Sequence, residues 1–420
     1  MGEERFIIRG GGTLSGTVRL SGAKNAALPA LALSLVATGP VHLRNVPVKM
    51  GDIVVMLEVL RQIGCRVVIR EDEVTVDPTA ASEWEVPDEP CNQIRGGLLL
   101  LGALVARFGR ASVPAPGGCK IGPRGYDIHL NGLQALGAEV EDHLDRIVVT
   151  GNTLVGCEIA LRLPSTTGTE NLIMAAVRAR GRTILRNANT RPEIVDLVLM
   201  CNRLGVGVTI GGSDLVVIDG PSEVRPGAYE IMPGYDEAIT YIVAGALLGD
   251  VVKIERVEPA HLQIPLGILA MGGAHIARRP TELEVSRGDR LAAISVVTGT
   301  HPAMNSDLQP AFAVYGCCAT GTTRITDTRF AQRFGYEEEL AKLGAKIRVE
   351  GNTALVDGPV ALKGTTVSAP DLRAGAALVL AGLVAEGESV IGNIEQIDRG
   401  FEALEEKLGG LGADIARARG

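Results

Sequence analysis

The residues best suited to chemistry lie in one glycine- and proline-rich segment, P-A-P-G-G-C-K-I-G-P-R-G-Y-D-I-H, from Pro114 to His129. Four glycines and three prolines surround a single cysteine, so the segment is predicted to be a loop. Lys120 and Arg124 flank Cys119, and their positive charges favour a thiolate. The alternative is a surface loop with an incidental cysteine, although an inert cysteine is more often buried.

A second candidate is S-G-A-K-N-A-A-L-P, from Ser21 to Pro29. It places Lys24 and Asn25 where a predicted strand meets a helix, and the free N–H groups and dipole of a helix N-terminus favour anions. An ordinary helix start with a solvated lysine explains the same residues.

Isolated arginines form the third candidate, because a guanidinium binds carboxylate and phosphate groups in bidentate geometry. Two of them precede predicted helices, in P-D-L-R-A-G and in I-D-R-G-F-E. For any single arginine, a surface salt bridge is the competing explanation. The set is Arg95, Arg124, Arg373 and Arg399.

The secondary-structure elements that position these residues are indicated by a sequence pattern that occurs six times. In each copy a leucine-rich helical stretch ends in glycine, and an apolar strand follows. Such a repeat indicates one supersecondary unit used six times. Glycine suits the left-handed residue that commonly ends a helix. The glycines are Gly64, Gly137, Gly205, Gly272, Gly344 and Gly412.

Each repeat is predicted to contain strands around two helices, which gives a βαβαββ order and an α/β (α+β) fold class. In the first repeat we expect a helix over 25–35, a second over 52–64 and a hairpin over 67–76. Single units cannot bury their own apolar faces, so six units divide most simply into two domains of three, with a ligand cleft between them.

Composition narrows the class of protein. The 420 residues are 46% hydrophobic, which allows large cores, and the net charge of −8 argues against nonspecific nucleic-acid binding. Apolar runs stop short of the ~20 residues of a membrane helix. The first ten residues, MGEERFIIRG, lack the apolar stretch of a signal peptide. Seven cysteines without a C-x-x-C pair favour a reduced, cytoplasmic setting and no metal site.

Further motifs run nearly end to end and resemble the enolpyruvyl transferase family. The resemblance is closest to its UDP-N-acetylglucosamine 1-carboxyvinyltransferase branch. The motifs are G-A-K-N-A-A-L-P, L-R-N-V-P, L-V-A-R-F-G, P-G-G-C-x-I-G-x-R, R-P-E-I-V-D, H-P-x-x-x-x-D-x-Q, D-L-R-A-G and I-x-R-G-x-E-x-x-x-x-K-L.

The resemblance implies two domains, each an inside-out α/β barrel of three repeats. By that analogy one domain spans residues 21–230, and the other combines residues 1–20 with 231–420. The implied reaction transfers the enolpyruvyl group of phosphoenolpyruvate to a hydroxyl of a uridine nucleotide and releases phosphate, with no cofactor and no metal. Partners would be small-molecule substrates, without nucleic acid or membrane, and the oligomeric state stays open.

Matched positions carry the family's roles to this chain. Cys119, Asp307, Lys24 and Arg399 would be catalytic, with Asp307 accepting the hydroxyl proton. The loop thiol would also make the enzyme sensitive to fosfomycin. Phosphoenolpyruvate would be bound by Lys24, Arg95, Arg124, Arg373 and Arg399. The acceptor nucleotide would be bound by Asn25, Arg124, Asp127, Ser165, Thr166, Thr167, Asp307 and Thr326.

Departures from the family concentrate at acceptor positions. The family's P-S-V-G-A-T reads P-S-T-T-G-T here, so Thr167 replaces a glycine, and we expect a reshaped loop. Its F-E-N-R-F reads T-D-T-R-F, which puts Thr326 at an aromatic position, and its P-D-R-I-E reads P-G-Y-D-E at 233–237.

Three functions therefore stay open. One is transfer to the 3-OH of UDP-N-acetylglucosamine in peptidoglycan precursor synthesis. Another is transfer to UMP in nucleoside-antibiotic biosynthesis. The third is a catalytically silent binding or regulatory paralogue, against which the joint retention of Lys24, Cys119, Asp307, Arg373 and Arg399 argues.

Overall fold

The computed structural model describes residues 4–116, 125–330 and 333–419. The predicted site residues Cys119 and Arg124 lie outside these described residues.

The strands follow the chain as β1 (Glu4–Arg9), β2 (Leu14–Arg19), β3 (Val41–Arg44), β4 (Arg66–Arg70), β5 (Glu73–Asp77), β6 (Arg110–Pro114), β7 (Glu139–Asp142), β8 (Arg146–Thr150), β9 (Glu158–Ala160), β10 (Gly181–Arg186), β11 (Gly207–Gly211), β12 (Leu215–Gly220), β13 (Gly227–Glu230), β14 (Gly249–Glu255), β15 (His275–Arg279), β16 (Glu282–Ser286), β17 (Ser295–Thr298), β18 (Gly321–Asp327), β19 (Lys346–Glu350), β20 (Thr353–Gly358), β21 (Thr366–Ser368), β22 (Glu388–Gly392) and β23 (Asp414–Arg419).

The α-helices are α1 (Lys24–Val36), α2 (Gly51–Gln62), α3 (Asp88–Cys91), α4 (Leu99–Phe108), α5 (Asp127–Ala135), α6 (Thr166–Ala176), α7 (Pro192–Arg203), α8 (Tyr235–Leu248), α9 (Gln263–Met271), α10 (Gln309–Cys318), α11 (Tyr336–Lys342), α12 (Leu372–Val384), α13 (Glu395–Asp398) and α14 (Leu404–Gly410). Short 3₁₀ helices cover Arg95–Leu98, Pro259–Leu262 and Ser306–Leu308.

The described residues form two compact units. The middle unit comprises residues 22–116 and 125–232, and the terminal unit comprises 4–21, 233–330 and 333–419. The first strands belong to the terminal unit: β1 lies between β22 and β23, and β2 pairs in parallel with β14. The domain bounds expected from the sequence, 21–230 and 1–20 with 231–420, stay a prediction.

Each unit carries three sheets. In the middle unit the strand orders are β13-β3-β5-β4, β6-β8-β7 and β9-β10-β12-β11. In the terminal unit they are β2-β14-β16-β15, β17-β18-β20-β19 and β21-β22-β1-β23. Five of the six sheets share one pattern, a parallel pair followed by two antiparallel neighbours, and in the sixth a parallel bridge joins Glu85 to Ser112 of β6. The predicted mixed α/β architecture of six repeated βαβαββ units is therefore confirmed.

Apolar helices form the centre of each unit. In the middle unit α1 packs against α4 and α4 against α6, and in the terminal unit α8, α10 and α12 pack together. The helices α1, α4 and α12 are buried along nearly their whole length, because apolar residues, chiefly Ala, Leu and Val, lie on all their faces. The predicted inside-out arrangement, with helices inside and sheets outside, therefore holds within each unit.

The repeated glycines take the predicted left-handed conformation at five of the six helix ends, with φ between +93° and +97° at Gly64, Gly137, Gly205, Gly344 and Gly412. The fourth assignment was wrong by one residue, since Gly272 has φ of −76° and Gly273 has φ of +101°. Gly272 is needed for a different reason. A Cβ there would lie 2.3 Å from the hydroxyl of Tyr315, which donates to the Gly272 carbonyl at 2.6 Å.

Candidate active site

The predicted site residues divide between the two units. The middle unit holds Lys24, Asn25, Arg95, Asp127, Ser165, Thr166 and Thr167, and the terminal unit holds Asp307, Thr326, Arg373 and Arg399.

Lys24 is the first residue of α1, one residue before the predicted helix start, and it is not a solvated lysine. It is 9% exposed, and its Nζ lies 2.9 Å from Oδ2 of Asp52, in the first turn of α2. Burial without a partner would be costly for an ammonium group, so Asp52 accounts for its position. Asn25, the next residue, is partly buried.

Arg95 and Asp127 also have partners within the middle unit. Arg95 donates from Nη2 to the carbonyl of Gly125 at 3.1 Å. Asp127 accepts two hydrogen bonds from Arg162, at 2.6 and 2.8 Å, and these bonds lower the pKa of the Asp127 carboxyl against a smaller opposing effect of burial. This fork geometry makes a strong, directional pair.

The start of α6 brings together the predicted acceptor residues of the middle unit. Ser165 caps the helix by accepting a hydrogen bond from the Gly168 N–H at 3.1 Å. The Thr167 hydroxyl lies 3.1 Å from Nε2 of His129, and the Thr166 hydroxyl lies 3.2 Å from Nδ2 of Asn189. We call Ser165, Thr167, His129 and Glu170 the α6 cluster.

That Thr167 reshapes this loop relative to the family stays a prediction. Thr166 begins a regular helix, and neither Thr167 nor Gly168 has a positive φ. Glycine is favoured at position 168 by space, because a Cβ there would lie 2.8 Å from Cγ2 of Ile128. The Thr167 side chain fits here because its hydroxyl forms a hydrogen bond with the imidazole of His129.

Two buried members of the α6 cluster are neutral at pH 7. Burial lowers the pKa of His129 to about 3, with a further lowering by Arg95 that Asp127 opposes. Burial, then the nearby Glu193, raises the pKa of Glu170 to about 8. The His129 Nδ1 and the Glu170 Oε1 are buried without a hydrogen-bond partner. His129 and Glu170 are therefore themselves uncharged at pH 7, although charged residues lie near both.

In the terminal unit, four charged side chains alternate in sign and form what we call the charge chain, Arg333–Asp307–Arg373–Asp236. Nη1 of Arg333 lies 2.6 Å from Oδ1 of Asp307, and Oδ2 of Asp307 lies 3.6 Å from Nη2 of Arg373. The same Nη2 donates to Asp236. The side chains are only 5–7% exposed for three members and 21% for Asp307.

Local structure explains why Arg373 points into this cluster. Asp371 caps α12 by accepting from the N–H groups of Arg373, at 2.8 Å, and of Ala374. Burial lowers the pKa of Arg373, but Asp236 and Asp307 more than offset this and raise it. Its Nε and Nη1 are buried without a hydrogen-bond partner. Unsatisfied buried donors on a charged guanidinium suit a bound anion.

Asp307 is held by a short 3₁₀ turn, Ser306–Leu308, which Asn305 caps by accepting from the Asp307 N–H at 3.2 Å. The Asn305 side chain in turn donates to the Tyr235 hydroxyl at 3.2 Å. Asp307 is therefore fixed through its backbone as well as through its carboxylate.

The structure brings Asp307 and Arg373 together but pairs the other two terminal-unit residues elsewhere. The Thr326 hydroxyl lies 3.0 Å from that of Thr353, across neighbouring strands. Arg399 donates from Nη1 to Oε1 of Gln396 at 3.3 Å.

Sequence reasoning missed three charged partners, Asp52, Asp236 and Arg333. Asp236 lies in P-G-Y-D-E, a stretch already noted as a departure, so an unexplained acid beside a site motif was the available signal. Asp52 and Arg333 carry no local signal, because their partners are distant in sequence.

Across residues 4–116, 125–330 and 333–419, no group of three His, Cys, Asp or Glu side chains could hold a metal ion. No described helix has the length and apolarity to cross a membrane. The six described cysteines are free thiols. A cytoplasmic location stays a prediction.

Comparison with known proteins places these features in context. The family model for EPSP synthase (3-phosphoshikimate 1-carboxyvinyltransferase) matches residues 8–408. The enolpyruvyl transferase NikO from Streptomyces tendae is similar over 100% of both chains, with a TM-score of 0.91 and 29% identity. An EPSP synthase from Acinetobacter baumannii covers 99% of this chain and 100% of its own, with a TM-score of 0.78 and 18% identity. A further structure of EPSP synthase from that organism has a TM-score of 0.77, 19% identity and coverage of 98% and 99%.

Proposed function

Because this chain belongs to the EPSP synthase family of enolpyruvyl transferases and has their two-domain fold, we propose that it transfers the enolpyruvyl group of phosphoenolpyruvate to a hydroxyl of a uridine nucleotide. Phosphate is the second product. The supporting observation is the charge chain, in which a buried arginine with unsatisfied donors lies beside a carboxylate capable of accepting a proton.

The reaction balances without any external oxidant or reductant. The vinyl C3 of phosphoenolpyruvate gains a proton, and the acceptor oxygen forms a bond to C2 while its own proton passes to Asp307. The tetrahedral ketal then loses phosphate from C2 and a proton from C3, which restores the double bond. General acid–base catalysis of such steps contributes about 10²–10⁴-fold each.

Phosphoenolpyruvate carries a phosphate and a carboxylate, so it needs several cations. Arg373 supplies two buried donors, Nε and Nη1. Lys24, Arg95, Arg124 and Arg399 are proposed as the further cations from their sequence motifs. Fixed positive charge of this kind also stabilises the anionic charge that develops during addition and elimination.

The first acceptor we propose is the 3-OH of UDP-N-acetylglucosamine, as in peptidoglycan precursor synthesis, because Asn25 and Asp307 themselves match the family, although the stretch before Asp307 departs from it. UMP, as in nucleoside-antibiotic biosynthesis, is the second candidate. The contact at Thr167 supports it: the Thr167 hydroxyl shares a hydrogen bond with Nε2 of His129 and is less available to a diphosphate, whereas the Thr166 hydroxyl only accepts, from Nδ2 of Asn189.

Phosphate release from phosphoenolpyruvate, with UDP-N-acetylglucosamine and UMP offered separately, tests the proposal. Turnover with the sugar nucleotide alone supports the first acceptor, and turnover with UMP alone supports the second. Mass spectrometry of the product checks for the added enolpyruvyl group. No turnover with either nucleotide, in protein that binds phosphoenolpyruvate, would overturn the uridine-nucleotide proposal.

Cys119 is proposed as the general acid and as the target of fosfomycin. Cys119→Asp is expected to retain turnover and to lose fosfomycin inactivation, because an aspartic acid can donate a proton but cannot be alkylated as a thiolate is. A folded but inactive Cys119→Asp enzyme would contradict the acid role. Fosfomycin inactivation of that variant would contradict the alkylation site.

A further inference from the structure

Arg333 is a buried arginine held in one orientation. It is 6% exposed, and its Nη1 contacts both Oδ1 of Asp307, at 2.6 Å, and Oγ of Ser306, at 3.1 Å. Its backbone carbonyl accepts a hydrogen bond from Nε2 of Gln309 at 2.7 Å. The Phe330 ring lies 5.4 Å from the Arg333 guanidinium carbon.

The supports of Arg333 are themselves fixed. Gln309 is the first residue of α10, and its Oε1 accepts from the hydroxyl of Tyr336, the first residue of α11. Two helix starts therefore determine where Arg333 lies. A buried ion pair is by itself poor evidence of a gain in stability. The contacts that fix the Arg333 side chain therefore need an explanation other than stability.

The order of charges in the charge chain explains why Arg333 is held in place. Asp307 lies between two guanidinium groups, and the second, Arg373, is itself partly neutralised by Asp236. Arg333 therefore acts on the Asp307 carboxylate directly, and Asp236 acts on it through Arg373 with the opposite sign.

We propose that Arg333 is a positioning residue that orients the Asp307 carboxylate and keeps it ionised, and that Asp236 tempers this effect through Arg373. The inference rests on the proposed function, in which Asp307 accepts the acceptor proton. It adds two residues, Arg333 and Asp236, that the sequence did not assign to any role.

Other groups around Asp307 also affect its charge and remain the same in every variant compared. Asp327 accepts a hydrogen bond from the Ser306 hydroxyl, and the Tyr235 hydroxyl accepts one from Asn305. Asp371 caps the helix that carries Arg373. Differences between variants therefore report the substituted residue.

The test is the pH dependence of kcat for the full-length enzyme with the acceptor that turns over. In Arg333→Gln we expect kcat to fall about 10²-fold and its acid limb to move up by roughly one pH unit, because a positive neighbour of the base is lost. In Asp236→Asn the acid limb moves down, because Arg373 then acts on Asp307 less opposed. Both substitutions remove a buried charge, so a purely structural role would not produce opposite shifts.

Two further variants complete the design. Arg333→Lys retains the charge and is expected to keep the wild-type acid limb while losing part of kcat through poorer geometry. Arg348→Gln removes an arginine from an exposed pair with Asp357, 3.0 Å away, and is expected to leave the profile unchanged. The KM for phosphoenolpyruvate should change less than kcat in Arg333→Gln.

Acid limbs that stay fixed, or that move in the same direction in Arg333→Gln and Asp236→Asn, would overturn the inference while leaving the proposed function intact. An active Asp307→Asn enzyme would instead remove the proton acceptor from the proposed function, and the inference would fall with it. Where Arg333→Gln does not fold, Arg333→Lys and Asp236→Asn still test the predicted direction.

Discussion

The charge chain of the terminal unit and the α6 cluster of the middle unit handle buried polar groups in opposite ways. In the charge chain, two arginines and two aspartates neutralise each other within ion-pair distance. In the α6 cluster, His129 and Glu170 are buried without an ionic partner and are neutral, and hydroxyls and a helix N-terminus supply the polarity.

The difference indicates a division of labour. Charge that can attract an anion or accept a proton is stored in the charge chain, where opposite charges make its burial tolerable. The α6 cluster offers directional hydrogen bonds without net charge, which suits recognition of a nucleotide better than proton transfer. Substitutions in the first region should therefore affect chemistry, and substitutions in the second should affect binding and stability.

The largest effect should come from Asp307→Asn. We expect kcat to fall about 10²–10⁴-fold because the proton acceptor is lost, while phosphoenolpyruvate binding measured by calorimetry is retained. Asp357→Asn is the matched control and should keep wild-type turnover, because the Asp357 side chain on β20 is 41% exposed and pairs with the exposed Arg348. Wild-type turnover in Asp307→Asn would end the assignment of proton transfer to the charge chain.

Arg373→Gln should destabilise the protein by about 3–5 kcal/mol, because it leaves Asp236 buried without its partner. Adding Asp236→Asn should recover part of this loss, which a double-mutant cycle in urea measures as a coupling energy. Both Arg373→Gln and the double variant should bind phosphoenolpyruvate more weakly than the wild type, because both lack the Arg373 guanidinium. If the two changes in unfolding free energy simply add, Arg373 and Asp236 do not stabilise each other's burial, which contradicts the comparison.

The fold was predictable and the ion pairs were not, for a physical reason. A glycine after a helix is specified by its immediate neighbours, so the left-handed glycine could be assigned in five of the six repeats and within one residue in the sixth. The partners of Lys24 and Arg373 lie 28 and 137 residues away in sequence, and only the packed fold brings them together. The exception among the glycines has the same origin, since Tyr315 lies 43 residues from Gly272.

In the α6 cluster, Glu170→Gln should stabilise the protein in a pH-dependent way. The pKa of Glu170 is raised from 4.5 to about 8, so its protonated form contributes stability that is complete below pH 4.5 and is lost as pH rises towards 8. The variant should match the wild type near pH 4.5 and exceed it by about 3 kcal/mol at pH 7. Chemical denaturation at both pH values measures the difference.

Glutamine cannot ionise, which is why only the wild type should lose stability with pH. Glu139→Gln, on the exposed strand β7, is the control and should show no such growth. A difference between Glu170→Gln and the wild type that is the same at pH 4.5 and pH 7 would mean that Glu170 is not a neutral buried acid.

The smallest effect should come from Ser165→Ala. Loss of the cap that receives the Gly168 N–H should cost about 1 kcal/mol of stability, and Ser165→Gly should cost less because glycine is tolerated at an N-cap. A matching loss of binding energy would raise the KM for the uridine nucleotide roughly fivefold, with the KM for phosphoenolpyruvate unchanged. Steady-state kinetics with each substrate varied in turn measures both constants. An equal rise in the two KM values would contradict the proposed division of labour between the two regions. The start of α6 would then contribute to binding phosphoenolpyruvate as much as to binding the uridine nucleotide.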